Sequence, residues 1–206
     1  MTCADEHFST AHALMRKSSG GAHLSSAADH MRKAAELGHA AAANNYGAML
    51  HYGRGVPVDL ELARQWYSLA AQAGLAAGCF NYGFMWLHGL GGERDPLEAR
   101  DLFKQAAAGG DTDALTHLGR MAMIGEGGLQ DFAAARGYWQ KGAELGDGRC
   151  AFNLGIANAG GHGAPPDFTA AYAWFSKAHA LGNGAAAAEL EKLSNVMSPG
   201  ERAAAS

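Results

Sequence analysis

The sequence predicts an all-α protein built from a repeated pair of helices, and four periodic series carry the prediction. Glycines recur at a constant step of 36 residues, at Gly38, Gly74, Gly110, Gly146 and Gly182. Three further series keep the same step: Gly47, Gly83, Gly119 and Gly155; Asp59, Asp95, Asp131 and Asp167; Ala27, Ala63, Ala99, Ala135 and Ala171. A fixed period of roughly 20–50 residues is typical of a stacked repeat array.

The helical assignment comes from the apolar spacing between these markers. In one repeat, the apolar residues fall at i, i+3, i+4, i+7 and i+8, the stripe of a helix buried on one side: Ala63, Trp66, Tyr67, Ala70 and Ala71. Each repeat therefore has a helix A, a glycine-rich turn and a helix B. We expect the repeated aspartates to be N-caps of the B helices and the closing glycines to end them.

Taken in order, these signals predict a helix at each of the following places: 5–17, 25–37, 40–52, from Asp59 to Gly74, 80–88, 96–108, 114–124, 132–145, 149–159, 168–181 and 184–196. Ser18–Gly21 is expected to be a flexible turn, and Ser198 to start a short final helix as a capping box. We expect a single domain over 1–206, with a degenerate repeat at about 2–38, regular repeats at 39–74, 75–110, 111–146 and 147–182, and a C-terminal cap at 183–206.

The glycines in the middle of the A helices need a reason of their own, because glycine there costs about 1 kcal/mol relative to alanine. We expect close approach of helices A and B at these positions, with Ala63 and its equivalents on the facing side. The aromatic residues of the B helices are expected to fill the space between layers.

Composition and charge exclude several function classes. The net charge is −4, and no run of basic residues longer than two occurs, which argues against a nucleic-acid partner. No stretch approaches the roughly 18–20 apolar residues of a membrane span, so no membrane insertion is expected. The first 17 residues lack the apolar segment of a signal peptide. We expect free, buried thiols at Cys79 and Cys150 and a cytoplasmic location.

These repeats resemble the Sel-one-like repeats, a 36-residue relative of the tetratricopeptide repeats. The resemblance rests on the pattern NYGAMLHYGRGVPVDLELARQWYSLAAQAG and its three equivalents that begin NYGFMWLHG, HLGRMAMIG and NLGIANAGG. It covers about residues 24–182. It departs from the family pattern where Leu50, Trp86, Ala122 and Asn158 replace a tyrosine and where Gly142 replaces an alanine. The resemblance implies a right-handed α-solenoid of antiparallel helix pairs, a tetratricopeptide-like superhelix that serves as an adaptor or scaffold for protein partners.

The candidate binding site follows from the same resemblance, because helix A lines the concave face in tetratricopeptide geometry. We expect the following residues to bind a protein or peptide partner there: Asn44, His51, Tyr52, Phe80, Phe84, Leu87, His88, Arg120, Met123, Phe152 and Ile156. Apolar side chains with one arginine suit hydrophobic anchors of a helix or an extended peptide. They do not suit a carboxylate clamp. The alternative is that these side chains only pack between neighbouring A helices or beneath the cap.

Other chemistries have weaker support in the sequence. The glycine-rich turns follow helices rather than strands, which favours helix-to-helix turns over phosphate loops. The ten histidines form no pair at metal-ligand spacing on one helix, so neither a metal nor another cofactor is expected. No nucleophile motif occurs, and we expect no enzyme. The competing hypothesis is binding or hydrolysis of β-lactams, suggested for a cysteine-rich branch of the resembled family whose paired cysteines this chain lacks.

Overall fold

The structure is a computed structural model that describes residues 2–17 and 21–205, and this part of the chain is helical without strands. Its twelve helices are α1 Cys3–Lys17, α2 Gly21–Glu36, α3 Ala40–Tyr52, α4 Leu60–Gln72, α5 Ala76–His88, α6 Pro96–Ala108, α7 Thr112–Ile124, α8 Phe132–Glu144, α9 Gly148–Ala159, α10 Phe168–Ala180, α11 Ala186–Val196 and α12 Pro199–Ala204. None of the helices described is long and apolar enough to cross a membrane.

The helices fall into two compact units, Met1–Asp111 and Thr112–Ser206. In the first unit, α1 to α6 pack in chain order, each on the next, and α3 also contacts α5. In the second unit, α7 to α11 pack in the same way, α7 contacts α9, and α12 rests on α10. The fold is therefore an α-solenoid of successive helix pairs, which confirms the predicted fold class.

The predicted aspartate N-caps of the four regular B helices, α4, α6, α8 and α10, are confirmed at the atomic level. The carboxylate of Asp59 accepts the backbone N–H of Leu62 at 2.9 Å, and Asp95, Asp131 and Asp167 cap α6, α8 and α10 in the same way. Each closing glycine has a positive φ, between 78° and 90°, the left-handed conformation in which glycine avoids strain. The predicted capping box of α12 is formed by Ser198.

Several predicted helix bounds were wrong by a few residues. The helix predicted over 25–37 begins at Gly21, the one predicted over 80–88 begins at Ala76, and the one predicted over 184–196 begins at Ala186. In the second case the N-cap is Leu75, which makes no side-chain cap bond, so the sequence carries no polar start signal. Of the turn predicted at Ser18–Gly21, residues 18–20 lie outside the described residues.

The mid-helix glycines do mark a close approach, and the contacting group is an aromatic ring of the same repeat. A Cβ placed on Gly47 would lie 2.9 Å from Cδ1 of Tyr67, and one on Gly155 would lie 2.5 Å from Cδ1 of Phe175. The backbone carbonyl oxygen of Ala63 would lie 3.2 Å from the same Cβ on Gly47, so Ala63 faces this glycine as predicted. These rings, which were predicted to lie between layers, fill the interface between helices A and B of their own pair.

The glycine-rich turns connect the repeats to one another. Gly91 has a φ of +66°, and a Cβ on it would overlap the backbone carbonyl of Leu60, at the start of the preceding B helix. In the same way, a Cβ on Gly55 would overlap the backbone carbonyl of Leu24 in α2. These turns are therefore packing elements whose backbone is in contact with protein, as expected for helix-to-helix turns.

Two arginines, Arg64 and Arg136, donate hydrogen bonds to residues at these turns, and these contacts were not predicted from the sequence. Arg136 donates to the carbonyl of His162 at 3.1 Å and to Oδ1 of Asn158 at 2.8 Å. Arg64, two periods earlier, donates to the carbonyl of Glu93 at 3.0 Å, and its guanidinium lies 3.7 Å from the centre of the Trp86 ring. The constant spacing of these arginines was the available signal.

The glycine contact makes a prediction that a matched pair of variants can test. Gly119 and Gly137 both lie inside helices of the second unit, so alanine improves helix propensity equally at both. A Cβ on Gly119 would overlap the indole of Trp139, whereas one on Gly137 would meet nothing within 4 Å. We expect Gly119→Ala to lower the free energy of unfolding by about 1 kcal/mol or more. We expect Gly137→Ala to raise it by about 0.5–1 kcal/mol.

Urea unfolding followed by circular dichroism measures both changes. A Gly119→Ala protein as stable as Gly137→Ala would show that the ring does not set the spacing of α7 and α8.

Candidate functional site

The predicted partner-binding residues lie on the A helices of both units. In the first unit they are on α3 and α5: Asn44, His51, Tyr52, Phe80, Phe84, Leu87 and His88. In the second unit they are on α7 and α9: Arg120, Met123, Phe152 and Ile156. Each set is described within its own unit.

Aromatic side chains form a ridge along α5. Phe80, Phe84 and His88 are four residues apart and therefore share one face of the helix. The ring centres of Phe80 and Phe84 are 6.5 Å apart, and those of Phe84 and His88 are 4.3 Å apart. Phe80 also contacts Phe103 of α6 at 5.6 Å. The two phenylalanines are half-buried and His88 is exposed, so the ridge is anchored in the core at one end and open at the other.

The neighbouring helix α3 continues this face with a stacked pair of rings. Tyr52 is 68% exposed, and its ring lies parallel to that of His51 at a centre distance of 4.4 Å. His51 is half-buried and approaches Tyr67 of α4 at 6.3 Å. Burial lowers the pKa of His51, so its imidazole is neutral at pH 7. The exposed phenol ring of Tyr52 thus stacks on a neutral imidazole.

A hydrogen bond between two side-chain amides joins α3 and α5 at the other end of the face. Asn81 of α5 donates from its side chain to Oδ1 of Asn44 at 2.8 Å. Nδ2 of Asn44 in turn donates to Oδ1 of Asn45 at 3.4 Å. Neither α3 nor α5 contains Asp, Glu, Lys or Arg. The A-helix face of the first unit, defined here by Asn44, His51, Tyr52, Phe80, Phe84 and His88, therefore contains no carboxylate, ammonium or guanidinium group.

A depression of about 240 Å³ extends this face toward α1. Its lining residues are His12, Met15, Asn45, Ala48, Met49 and Arg54. His12 and Met15 were not among the predicted site residues. The repeat register would have predicted them, because His12 and Met15 precede Ala48 and His51 by one period of 36 residues. The degenerate first repeat thus contributes to the same face.

One predicted binding residue belongs to the core instead. Leu87 is only 1% exposed, so it has no surface to offer a partner. Its register equivalent, His51, is half-buried and contacts Tyr67 on the B helix. This register position points toward the B helix of its own pair, which explains why an apolar residue there becomes buried.

The second unit presents a different A-helix surface. Arg120 is exposed and pairs with Glu126 at 3.2 Å, and Met123 is half-buried. Phe152 packs on Phe175 at 5.4 Å, and Ile156 is 39% exposed. The predicted residues here are surface-accessible to different degrees, but they form no aromatic ridge like that of α5.

A cavity of about 550 Å³ in the second unit lies between the first residue of α7 and the turns before α9 and α11. Arg149 bridges Asp113 and Asp147 at this edge, and the Asp147 side chain also caps α9. These hydrogen bonds from Arg149 outweigh the effect of burial and lower the pKa of Asp147. Arg149 and the two aspartates at this edge of the cavity are therefore paired with one another.

The cysteines match the expectation of buried, unpaired thiols. Cys79 and Cys150 are buried and free, and Cys3 is exposed and free. Burial raises the pKa of the Cys79 thiol and raises that of Cys150 to about 11, so both are protonated at neutral pH. Within the part of the chain that the structure describes, no three His, Cys, Asp or Glu residues converge as a metal site would require.

Comparison with known proteins gives a family. The Sel1 repeat model matches residues 24–39, 40–75, 76–111, 112–147 and 148–183. No curated protein matches the chain. Among solved structures, the chain is similar to c5321, a protective antigen of uropathogenic Escherichia coli strains that displays an SLR fold, with 27% identity and a TM-score of 0.85. The similarity covers 98% of this chain but 44% of that protein, so this chain spans less than half the length of c5321.

Two further structures share the fold. A Sel1 repeat protein from Oxalobacter formigenes has 28% identity and a TM-score of 0.80, over 92% of this chain and 74% of that one. The immunity protein Pa5087 from Pseudomonas aeruginosa has 21% identity and a TM-score of 0.59, over 98% of this chain and 74% of that one.

The thiol environments predict which cysteines react. With Ellman's reagent at about pH 8, Cys3 should react within minutes because it is exposed. Cys79 and Cys150 should react only after unfolding, because they are buried and protonated. The measurement is the absorbance of the released thiolate with and without guanidinium chloride. Two or three fast thiols in the folded protein would contradict this assignment.

Proposed function

Because the chain belongs to the Sel1 repeat family, whose members are generally protein-interaction scaffolds, we propose that it is a non-enzymatic adaptor for a protein partner. In this proposal the partner docks on the A-helix face of the first unit. The single observation that carries it is the aromatic surface formed by α3 and α5, two helices without Asp, Glu, Lys or Arg.

The absence of Asp, Glu, Lys and Arg from α3 and α5 is informative because the B helices of the same unit differ. Helix α4 contains Glu61 and Arg64, and α6 contains four charged residues among thirteen. A solvent-facing helix normally carries charged residues on its outer face. A face that instead presents Tyr52, the α5 ridge and side-chain amides has the composition of a protein interface, where aromatic residues are enriched and charged ones depleted.

The chemistry of this face restricts the partner. With no lysine or arginine on α3 or α5, the face offers no counter-charge to a C-terminal carboxylate. Half-buried Phe80 and Phe84 offer apolar contact area that loses little side-chain entropy on binding, because packing already restricts both rings. A segment that inserts apolar or aromatic side chains beside the ridge fits this surface best.

A regulatory or immunity-like role is the finer form of the proposal. The fold is shared with immunity protein Pa5087 of Pseudomonas aeruginosa, at an identity that supports the fold alone. Neutralising a partner requires a stable complex that covers a large surface, and a preformed scaffold meets the requirement for pre-organisation. The same A-helix face would carry this role.

Site-specific photocrosslinking in the cell of origin tests the proposal. A photoreactive phenylalanine analogue replaces Tyr52, which is 68% exposed on the A-helix face. The matched control replaces Leu97, which is 63% exposed on α6. We expect a discrete covalent adduct with one protein from position 52 and none from position 97. Phe84→Asp should then reduce the adduct by about tenfold or more, because a charge would be buried in an apolar contact.

Circular dichroism of the Phe84→Asp protein shows whether it remains helical. Adducts that form equally from both positions, or that survive Phe84→Asp in a folded protein, would place the interface elsewhere.

A further inference from the structure

A cavity of about 470 Å³ lies beside helix α4 of the first unit. Its walls come from one face of α4, from α5 and from the turn after α5, and they include Glu61, Arg64, Leu69, Tyr82 and Gly91. None of these residues belongs to the A-helix face defined above. The volume falls in the range of small-molecule sites, roughly 300–1,000 Å³.

Arg64 is buried in the wall of this cavity with few hydrogen bonds. It is 9% exposed, and its Nη1 donates to the carbonyl oxygen of Glu93 at 3.0 Å, the one hydrogen bond that its guanidinium makes within the described residues. The guanidinium carbon lies 3.7 Å from the centre of the Trp86 ring. A guanidinium has five N–H donors, so the edge formed by Nε and Nη2 still lacks an acceptor. Neither nitrogen is sealed off from solvent, so this edge is reachable from the cavity.

The same register position in the second unit shows a guanidinium that is fully bonded. All three nitrogens of Arg136 donate at 2.8–3.2 Å, to the carbonyl oxygens of Ala157 and His162 and to Oδ1 of Asn158. The cavity beside Arg136 is smaller, about 180 Å³. In the first unit, Trp86 occupies the register of Asn158, so a ring face replaces the side-chain acceptor.

The turn after α5 is also shaped to hold Arg64 in its position. Gly92 occupies the register of Ala164, and a Cβ on Gly92 would overlap Nη1 of Arg64. Trp86 stays beneath the guanidinium although its own Nε1 is buried without a hydrogen-bond partner in the part of the chain that the structure describes. The first unit therefore has two features that hold a cation at the cavity, and the second unit has neither at the same register.

Glu61 brings the opposite charge to the same cavity. It precedes Arg64 by one turn of α4, yet the two side chains form no ion pair within the described residues. Leu69 is 49% exposed and Tyr82 is half-buried, and both offer apolar contact area. A carboxylate can bind two N–H groups of an arginine side by side, and an ammonium group can pair with a glutamate.

We propose that this cavity binds a small zwitterion with an apolar side chain, either a free α-amino acid or a short peptide. The ligand carboxylate accepts from Nε and Nη2 of Arg64, its ammonium group pairs with Glu61, and its side chain packs on Leu69 and Tyr82. Glu61 would repel a ligand that carries a carboxylate alone, so charge complementarity favours the zwitterion. The proposal does not rest on the function proposed above, because its groups lie outside the A-helix face.

Isothermal titration calorimetry of the full chain tests the proposal. The two probes are L-phenylalanine and the dipeptide alanylphenylalanine, and the tighter one identifies the source of the zwitterion. We expect that probe to bind with a Kd below about 1 mM. Its analogue without the amino group and its analogue with an amide in place of the carboxylate should each bind at least about tenfold more weakly, because each leaves one charge of the cavity unpaired.

Two variants connect the binding to the proposed groups. Arg64→Lys keeps the charge but loses the fork of N–H donors, and Glu61→Gln removes the exposed carboxylate. Each should weaken the binding of the tighter probe by about tenfold or more. The matched controls Arg136→Lys, at the same register, and Glu98→Gln, in the first turn of α6, should leave it unchanged.

Circular dichroism shows whether each variant remains helical, and Glu61→Gln keeps the test decisive if Arg64→Lys does not. The proposal is wrong if neither probe binds with a Kd below about 1 mM. It is also wrong if the analogues bind as well as the probe, or if a folded Glu61→Gln protein binds it like the wild type. Solvent alone would then satisfy the open edge of Arg64.

Discussion

The structure depends on one steric constraint: in each regular repeat, an aromatic ring of helix B lies against a glycine of helix A. At Gly47, Gly119 and Gly155 a side chain as small as a methyl group would enter the ring or its van der Waals envelope. The glycine lowers helix propensity, and the buried ring offsets that cost with apolar area removed from water. Because the contact repeats every 36 residues, it sets the helix spacing in every regular pair.

Because these contacts lie between helices A and B, the residues on the outer face of the A helices can differ between repeats without changing the helix spacing. In the first unit that face carries phenylalanine, tyrosine, histidine and asparagine, and in the second it carries Arg120 and Ile156. The same backbone thus displays two different surfaces within one chain. Function in such an array lies in the residues that do not repeat, since the repeating ones are occupied with packing, capping and turn formation.

How far the sequence predicted the structure depends on whether the responsible signal was local. The N-cap Asp59 and the closing glycines act within a few residues of their own position, so they were predictable. Leu87 was misplaced because register alone does not distinguish a side chain facing solvent from one facing helix B. The hydrogen bonds of Arg64 and Arg136 join residues more than 20 positions apart, and only the folded arrangement brings them together. The partner itself has no signature in any single residue.

A double-mutant cycle on Gly155 and Phe175 tests the central constraint most directly. Gly155→Ala, Phe175→Leu and the double variant are compared with the wild type by urea unfolding. If the ring and the glycine determine the spacing of α9 and α10 together, Gly155→Ala costs less once the ring is removed, and the coupling energy is about 1 kcal/mol or more. Additive effects, with a coupling near zero, would contradict the account, because the spacing would then be set by other contacts.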